Sequence, residues 1–587
     1  MNASEQTLLL GNAAAARGLY EAGCSFVSSY PGTPSTEISE EAAKYDEIYA
    51  EWAPNEKVAL EAAFGASLGG ARSFAAMKHV GMNVAADPLF TMSYTGVNAG
   101  LVVAVADDMG MHSSQNEQDS RHYAIAAKVP MLEPADSSEC LVFVKVAYEI
   151  SEQFDTPVMI RLTTRIAHSR SLVSLHERVE PERRAYQKNP QKYVMMPANA
   201  RGRHVFVENR MAALAEYAET SPLNRVIRGS SKLGIVASGI AFCYAREAFG
   251  DEASYLKLGM INPLPEKMIR EFAASVDRLI VIEELDDVFE TQIRKMGIPC
   301  EGKSLFSFLG EYSAELIRHA VCGEETTGYQ LSEPIPGRPP VLCPGCPHRG
   351  VFHVLSKMKV FVSGDIGCYT LGALPPLAAI DTTLCMGASV SGLHGYVKAA
   401  GAEAAKHSVA VIGDSTFIHS GITGLINIVY NQSNATVLIL DNSITGMTGH
   451  QQNPCTGLTL KNTPAYAVDL EALCHSVGVR RVSVVDPFDI DGIESAVRTE
   501  LEAEEPSVII VRRPCVLLKS VKHMPPLAID ADKCRKCKAC MKIGCPAISF
   551  DPSSGAKIDF SLCTGCGLCE KLCKFDAIGS TAERRNG

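Results

Sequence analysis

From its amino terminus the chain alternates short apolar runs with stretches of helical period, the pattern of layered α/β domains. An Ala-rich helix pattern covers Gly11–Gly23, a strand pattern Ser25–Ser29 follows, and beyond the Pro/Gly turn Tyr30–Pro34 a second helix pattern spans Glu56–Leu68. Val102–Ala106 reads as a buried parallel strand. The polar stretch His112–Arg121 behind it reads as a loop at a strand end, where open α/β sheets hold their ligands. Ser174–Asn209 is charged, rich in Arg and Lys and without a period, and reads as a linker or insertion. A second α/β unit opens at Leu233, with another strand at Asp277–Ile282, and the Pro-rich Glu333–Pro340 marks the next boundary. The third unit starts at Val341 and holds strand patterns at Val360–Val362, Val409–Ile412, Val437–Leu440 and Ser507–Val511. Met524–Pro526 then leads into a cysteine-rich tail.

Composition narrows the class. A chain of 587 residues that is 46% hydrophobic holds several cored domains, and its net charge of -11 argues against a nucleic-acid surface. The start, with Glu5 and Glu21 and no basic segment before an apolar run, carries no signal-peptide pattern. The apolar runs fall short of the roughly 20 residues that span a bilayer. A soluble, cytoplasmic protein with reduced thiols and no membrane partner is expected. No G-x-x-x-x-G-K-[ST] loop is present, so phosphoryl transfer from a nucleotide is not suggested.

The strongest chemistry is in the tail. Cys534, Cys537, Cys540 and Cys545 form one run, and Cys563, Cys566, Cys569 and Cys573 a second. This is the pattern of two [4Fe-4S] clusters, in which the fourth cysteine of each run crosses to the other cube. One cluster then takes Cys534, Cys537, Cys540 and Cys573, and the other Cys563, Cys566, Cys569 and Cys545. The first run has one residue more than usual before its fourth Cys, and the second ends in Lys574 instead of Pro. Structural zinc sites are the alternative for the same thiols.

In the third unit, Gly413-Asp414-Ser415 follows one strand, and Asp441-Asn442 follows the next, 27 residues beyond Asp414. Asp414, the Asn442 side-chain oxygen and the Ile444 carbonyl offer hard oxygen ligands to Mg²⁺, which shares its octahedral shell with phosphate. A plain strand-end turn is the alternative. Cys343-Pro344-Gly345-Cys346, Cys368 and Cys515 all lie near strand ends of this unit, as ligands or as buried unligated thiols.

Together these motifs resemble the 2-oxoacid:ferredoxin oxidoreductase family, over essentially the whole chain. The GDS and DN pairs match the thiamine-diphosphate motif with Ser415 and Asp441 as substitutions, and CPGCPHRG and GDIGCYTLG resemble the aryl-pyruvate branch. The resemblance implies an α/β fold in four parts: a pyrimidine-binding domain with linker (1–210), a transketolase C-terminal-like domain (211–335), a diphosphate-binding domain (336–522) and a small two-cluster ferredoxin-like α+β domain (523–587). It implies thiamine diphosphate on Gly413, Asp414, Ser415, Asn442 and Ile444, with Mg²⁺ on Asp414, Asn442 and Ile444. It further implies a third [4Fe-4S] cluster on Cys343, Cys346, Cys368 and Cys515. Glu56, nine residues before Gly65, would activate the aminopyrimidine, with Glu61 as the fallback. Thr33 would bind the substrate carboxylate, the loop Ser114–Arg121 would line the same site, and Lys78 and His79 stand where relatives often carry small hydroxyl residues.

The implied activity is oxidative decarboxylation of aryl pyruvates with coenzyme A, giving aryl-acetyl-CoA, CO₂ and reduced external ferredoxin. A small β subunit in an α2β2 assembly would supply the γ-type domain that this chain lacks. The rivals are pyruvate or 2-oxoglutarate as substrate, a non-oxidative thiamine decarboxylase, and an electron-transfer module with a degenerate active site.

Overall fold

The computed structural model describes residues 6–324 and 331–580. The chain divides into two compact units, Met1–Ser332 and Glu333–Gly587, at the start of the Pro-rich stretch.

The first unit is built on a seven-stranded sheet. Its centre is parallel, in the order Val158–Thr163, Leu101–Asp107, Ser73–Lys78, Phe26–Ser29 and Tyr49–Trp52, with Met131–Leu132 and antiparallel Met260–Asn262 continuing beyond Val158–Thr163. Every residue of Leu101–Asp107 is buried, as helices cover a parallel sheet on both faces and remove the alternation of polar and apolar positions. Of these seven strands the sequence pattern marks only Phe26–Ser29 and Leu101–Asp107, and two central ones show why the others are hard to read. Ser73–Lys78 is short and Ala-rich, and Val158–Thr163 carries Arg161, a buried cation inside an otherwise apolar run.

A four-stranded sheet follows, in the order Leu279–Ile282, Gly234–Ser238, Ser254–Leu258 and Arg225–Ile227. Leu256, Phe272 and Phe289 from this part share one apolar core with Val103 and Met159 of the larger sheet. The stretch expected as a linker ends in a 24-residue helix, Pro197–Thr220, which runs through position 210. Its buried stripe, Val207, Arg210, Leu214 and Ala218, is narrow and includes a cation, which hid the helical period. Arg210 donates to the carbonyls of Ser93 (2.9 Å), Asp155 (3.0 Å) and Lys128 (3.2 Å) from its two terminal nitrogens, while its buried Nε has no hydrogen-bond partner among the described residues.

The second unit carries a five-stranded parallel sheet in the order Phe361–Ser363, Ser408–Gly413, Thr436–Asp441, Ser507–Arg512 and Arg481–Val485. The edge strand Arg481–Val485 is half-exposed and mixed in polarity, so it gave no apolar run to read. In the tail, Leu527–Ile529 pairs antiparallel with Ile578–Ser580, closing the start of the cysteine region onto its end. Ile548–Asp551 and Gly555–Ile558 form a hairpin between the two cysteine runs. Leu527, Ile543, Leu568 and Ile578 join the same core as Val351, Phe352 and Val511, so the tail is packed into the unit and is not an appended module. Among the described residues, no helix is long and apolar enough to cross a membrane.

Candidate active site and metal centres

Strands Ser408–Gly413 and Thr436–Asp441 are parallel neighbours with Gly413 beside Leu440, so the residues that follow them emerge together at the carboxyl edge. Asp414 is buried, and Asn442 reaches it across the gap. The Asn442 amide has two settings. Turned one way, its Nδ2 donates to Asp414 Oδ1 at 3.1 Å and to the Ile444 carbonyl at 2.7 Å; turned the other way, three oxygens face one another. The second setting is the donor set of a hard divalent cation, and it consists of the three ligands expected from the sequence. Burial, with Asp441 next in weight, pushes the Asp414 carboxyl up to about 7. A cation among these oxygens would reverse that shift. Asp441 itself is taken up by Arg512, whose Nε donates to it at 2.7 Å, which accounts for a carboxylate at this position. Gly413 has no room for a side chain, since a Cβ there would lie 2.6 Å from the Tyr369 ring. Ser415 is buried beside it and accepts from Thr445 Oγ1 at 2.9 Å.

The cysteines fall into three groups. A cavity is lined by Cys534, Cys537, Cys540 and Cys573, with Phe550 and Ile578 among the apolar walls. The fourth cysteine of the second run therefore sits with the first three of the first. Burial raises the Cys569 thiol, and Cys566, Cys545 and Cys563 are the next contributors, followed by Cys540. This is the complementary crossed group, with Cys540 of the first group the next thiol in weight. A third group joins Cys343, Cys346, Cys368 and Cys515: burial pushes Cys346 up to about 12 with Cys343 and Cys368 beside it, and Cys368 up to about 11 with Cys515 and Cys343 beside it. Cys368 also borders the metal loop, as a Cβ on Gly446 would meet its sulfur at 3.4 Å and the Asn442 amide at 3.8 Å.

The first C-x-x-C turn of each cysteine run shares one backbone device. The residue before the second cysteine has positive φ in each, Lys536 (55°), Gly565 (68°) and Gly345 (71°). Such turns direct successive N–H groups into an anion-binding concavity, a feature of many iron–sulfur sites. Among the described residues, no three His, Cys, Asp or Glu side chains form a group that would hold a single metal ion. The remaining cysteines are not uniformly core residues: Cys24, Cys140 and Cys474 are buried, but Cys322 and Cys385 are exposed.

In the first unit, three adjacent strand ends bring the other expected residues to one edge. The turn Tyr30–Pro34 follows Phe26–Ser29, Lys78 closes Ser73–Lys78, and the loop ending at Arg121 follows Leu101–Asp107. Thr33 lies half-buried in that turn, next to Gly32, where a Cβ would sit 3.1 Å from the Lys78 Cβ. Lys78 is buried and donates to the Ser113 carbonyl, and burial lowers its pKa to about 8. His79 Nε2 lies 3.2 Å from the Asn116 carbonyl, its buried Nδ1 has no hydrogen-bond partner, and burial holds the ring below its ordinary pKa. Helix Glu56–Leu68, capped by Asn55, turns Glu56 inward against Gly81, where an added Cβ would lie 2.6 Å from Glu56 Oε1. Glu61, by contrast, points outward and pairs with Lys57. The loop is anchored at both ends: Asp108 accepts from the Ser113 N–H (2.8 Å) and Asp107 from the Ser120 N–H (3.1 Å).

Two residues absent from the sequence expectation belong to these sites. Asn453 Nδ2 donates to Asp414 Oδ2 at 3.3 Å from a loop with no motif spacing to reveal it. Asp365, inside GDIGC, accepts from the N–H groups of Ile366, Gly387 and Ser389 at 2.9 Å each, and ties two loops of the diphosphate region together. A buried acid directly before a cysteine motif was the available signal.

Three family descriptions match the chain: "Pyruvate flavodoxin/ferredoxin oxidoreductase, thiamine diP-bdg" over residues 17–221, "Thiamine pyrophosphate enzyme, C-terminal TPP binding domain" over 365–511, and "4Fe-4S binding domain" over 556–579. An indolepyruvate oxidoreductase subunit IorA of Methanothermobacter marburgensis is 40% identical over 612 aligned residues, 99% of this chain and 98% of the relative. The subunit of the same name from Pyrococcus abyssi is 39% identical over 633 residues, 99% of this chain and 97% of the relative. A solved 2-oxoglutarate:ferredoxin oxidoreductase from Magnetococcus marinus, with 2-oxoglutarate, coenzyme A and succinyl-CoA bound, is 18% identical and covers 54% of this chain and 65% of that one at a TM-score of 0.46.

Proposed function

As the chain belongs to the indolepyruvate oxidoreductase subunit IorA family, we propose that it carries out the thiamine-dependent oxidative decarboxylation of indolepyruvate with coenzyme A. The products are the aryl-acetyl-CoA, CO₂ and reduced ferredoxin. Thiamine diphosphate, when bound, supplies the carbanion and electron sink, and the iron–sulfur clusters pass electrons singly.

The chain's own residues position that chemistry. Asp414, the Asn442 oxygen and the Ile444 carbonyl would hold Mg²⁺, with Gly413 and Ser415 lining the place of the diphosphate. Glu56 would bind the aminopyrimidine and hold the proton that activates it. Lys78 and Thr33 bind the substrate carboxylate, and His79 orders the loop that closes beside it. Cys343, Cys346, Cys368 and Cys515 hold the cluster beside the metal loop. Cys545, Cys563, Cys566 and Cys569 hold the next, and Cys534, Cys537, Cys540 and Cys573 the last. A small partner subunit completes an α2β2 assembly and supplies the γ-type domain, and an external ferredoxin takes the electrons.

The observation that supports this reading most is the meeting of the Asp414, Asn442 and Ile444 oxygens next to Cys368. Anaerobic turnover of the two-subunit enzyme on indolepyruvate, pyruvate and 2-oxoglutarate, with viologen reduction followed alongside CO₂ release, tests it. Indolepyruvate should give the highest kcat/KM with both signals coupled. CO₂ release without viologen reduction would assign the chain to non-oxidative decarboxylation instead.

A further inference from the structure

Arg349 is the second residue of the helix His348–Met358, directly behind the Cys343–Cys346 turn, and is only 2% exposed. Its guanidinium reaches two separate segments. Nε donates to the Cys343 carbonyl at 3.0 Å and Nη2 to the Leu342 carbonyl, while Nη1 donates to the carbonyls of Ile543 at 3.1 Å and Gly544 at 2.5 Å. The first two carbonyls belong to the turn of the third cysteine group, and the last two directly precede Cys545 of the inner tail group.

All of the Arg349 hydrogen bonds go to neutral carbonyl oxygens, and among the described residues no carboxylate lies within ion-pair distance of it. A cation buried in this way is costly unless an anion offsets it. Burial lowers the Arg349 pKa, and the thiols of Cys545, Cys346, Cys343 and Cys566, from the inner tail group and the third group, oppose it. A cube held by four thiolates is a net anion, and gains negative charge on reduction. The planar fork supplies the four hydrogen bonds that span the two segments.

We infer that Arg349 is a positioning residue for electron transfer: the shared counter-ion of the two clusters on either side of it, which fixes their separation and favours their reduced states. This rests on the iron–sulfur part of the reading above, and specifically on a cluster at Cys343, Cys346, Cys368 and Cys515. Cluster potentials respond to nearby charge and hydrogen bonding, so removal of one buried positive charge shifts both neighbouring couples and leaves the outer one, at Cys534, Cys537, Cys540 and Cys573, in place.

The test is a potentiometric EPR titration, with iron analysis, of the anaerobic two-subunit enzyme as wild type, Arg349→Met and Arg349→Lys. In Arg349→Met, the reduced-to-oxidised ratio at fixed potential should fall about tenfold for two of three couples, which is 59 mV for a one-electron step. The third couple should not move. Full iron content with all midpoints unshifted overturns the counter-ion role. If Arg349→Met loses iron, Arg349→Lys decides: iron and wild-type midpoints restored support the role of the charge, and iron lost again reduces Arg349 to packing and overturns it. A wild type with only two couples overturns the third cluster and, with it, the shared counter-ion; three couples unmoved by the substitution overturn the counter-ion alone.

Discussion

Two sets of buried acids, one in each unit, are satisfied in opposite ways. In the first unit, Asp119 and Glu283 pair with Arg121, and Asp107 and Glu133 with Arg161, so each carboxylate faces a guanidinium. In the second unit, Asp414 is equally buried but receives only side-chain amides, Asn453 and, in one of its two settings, Asn442, with no cationic side chain in ion-pair distance among the described residues. The same depth of burial therefore has two meanings. The arginine-paired cluster is a lock that holds the loop ending at Arg121, whereas Asp414, faced by two further oxygens, has the donor set of a cation site.

Substitutions sharpen this contrast in order of size. Asp414→Ala should lower kcat/KM by roughly 10³-fold or more and abolish magnesium-dependent binding of thiamine diphosphate, measured by calorimetry, since metal catalysis is worth several kcal/mol. If binding persists, the oxygen trio is only a turn. Glu56→Gln should leave thiamine binding within a few-fold but slow turnover about 10²–10⁴-fold, the usual range of acid–base assistance. Glu61→Gln, on the solvent face of the same helix, should change neither. Asn453→Ala should weaken magnesium binding about 10–100-fold, as outer partners of metal ligands do.

Lys78→Met should raise KM for the anionic substrate roughly 10–100-fold, the value of a hydrogen bond to a charged group. It also carries a pH signature. Burial places the Lys78 pKa at about 8, so the ammonium is present below that value and lost as pH rises through it. Wild-type KM should therefore climb above pH 8, and KM of the variant should stay level across the same range. A climb that survives the substitution would remove Lys78 from the substrate site.

The second unit was far more legible in sequence than the first, for a physical reason. Ligands to a cluster or a cation must lie within a few ångströms of one another, so Cys534, Cys537 and Cys540, or Asp414 and Asn442, occur at short spacings or at the ends of paired strands. Thr33, Glu56 and Lys78 come from separate elements of a sheet whose connections vary in length, and only family resemblance picked them out. Asn453 stayed hidden because a single amide in a loop has no pattern. The helix Pro197–Thr220 was missed because Arg210 interrupts its buried stripe, and the packing of the tail was missed because Leu568 and Ile578 gain their meaning only beside Val351 and Phe352. Leu568→Ala should test that packing through a loss of about 2–5 kcal/mol in stability to denaturant.

The central claim is that decarboxylation and cluster reduction are one process on this chain. It is tested most directly by mixing the anaerobic two-subunit enzyme with indolepyruvate and coenzyme A, without external acceptor, and following CO₂ and the EPR of reduced clusters together. Both should appear at the same rate in the wild type and both should vanish in Asp414→Ala. CO₂ released while the clusters stay oxidised, or clusters reduced by substrate in Asp414→Ala, would contradict it.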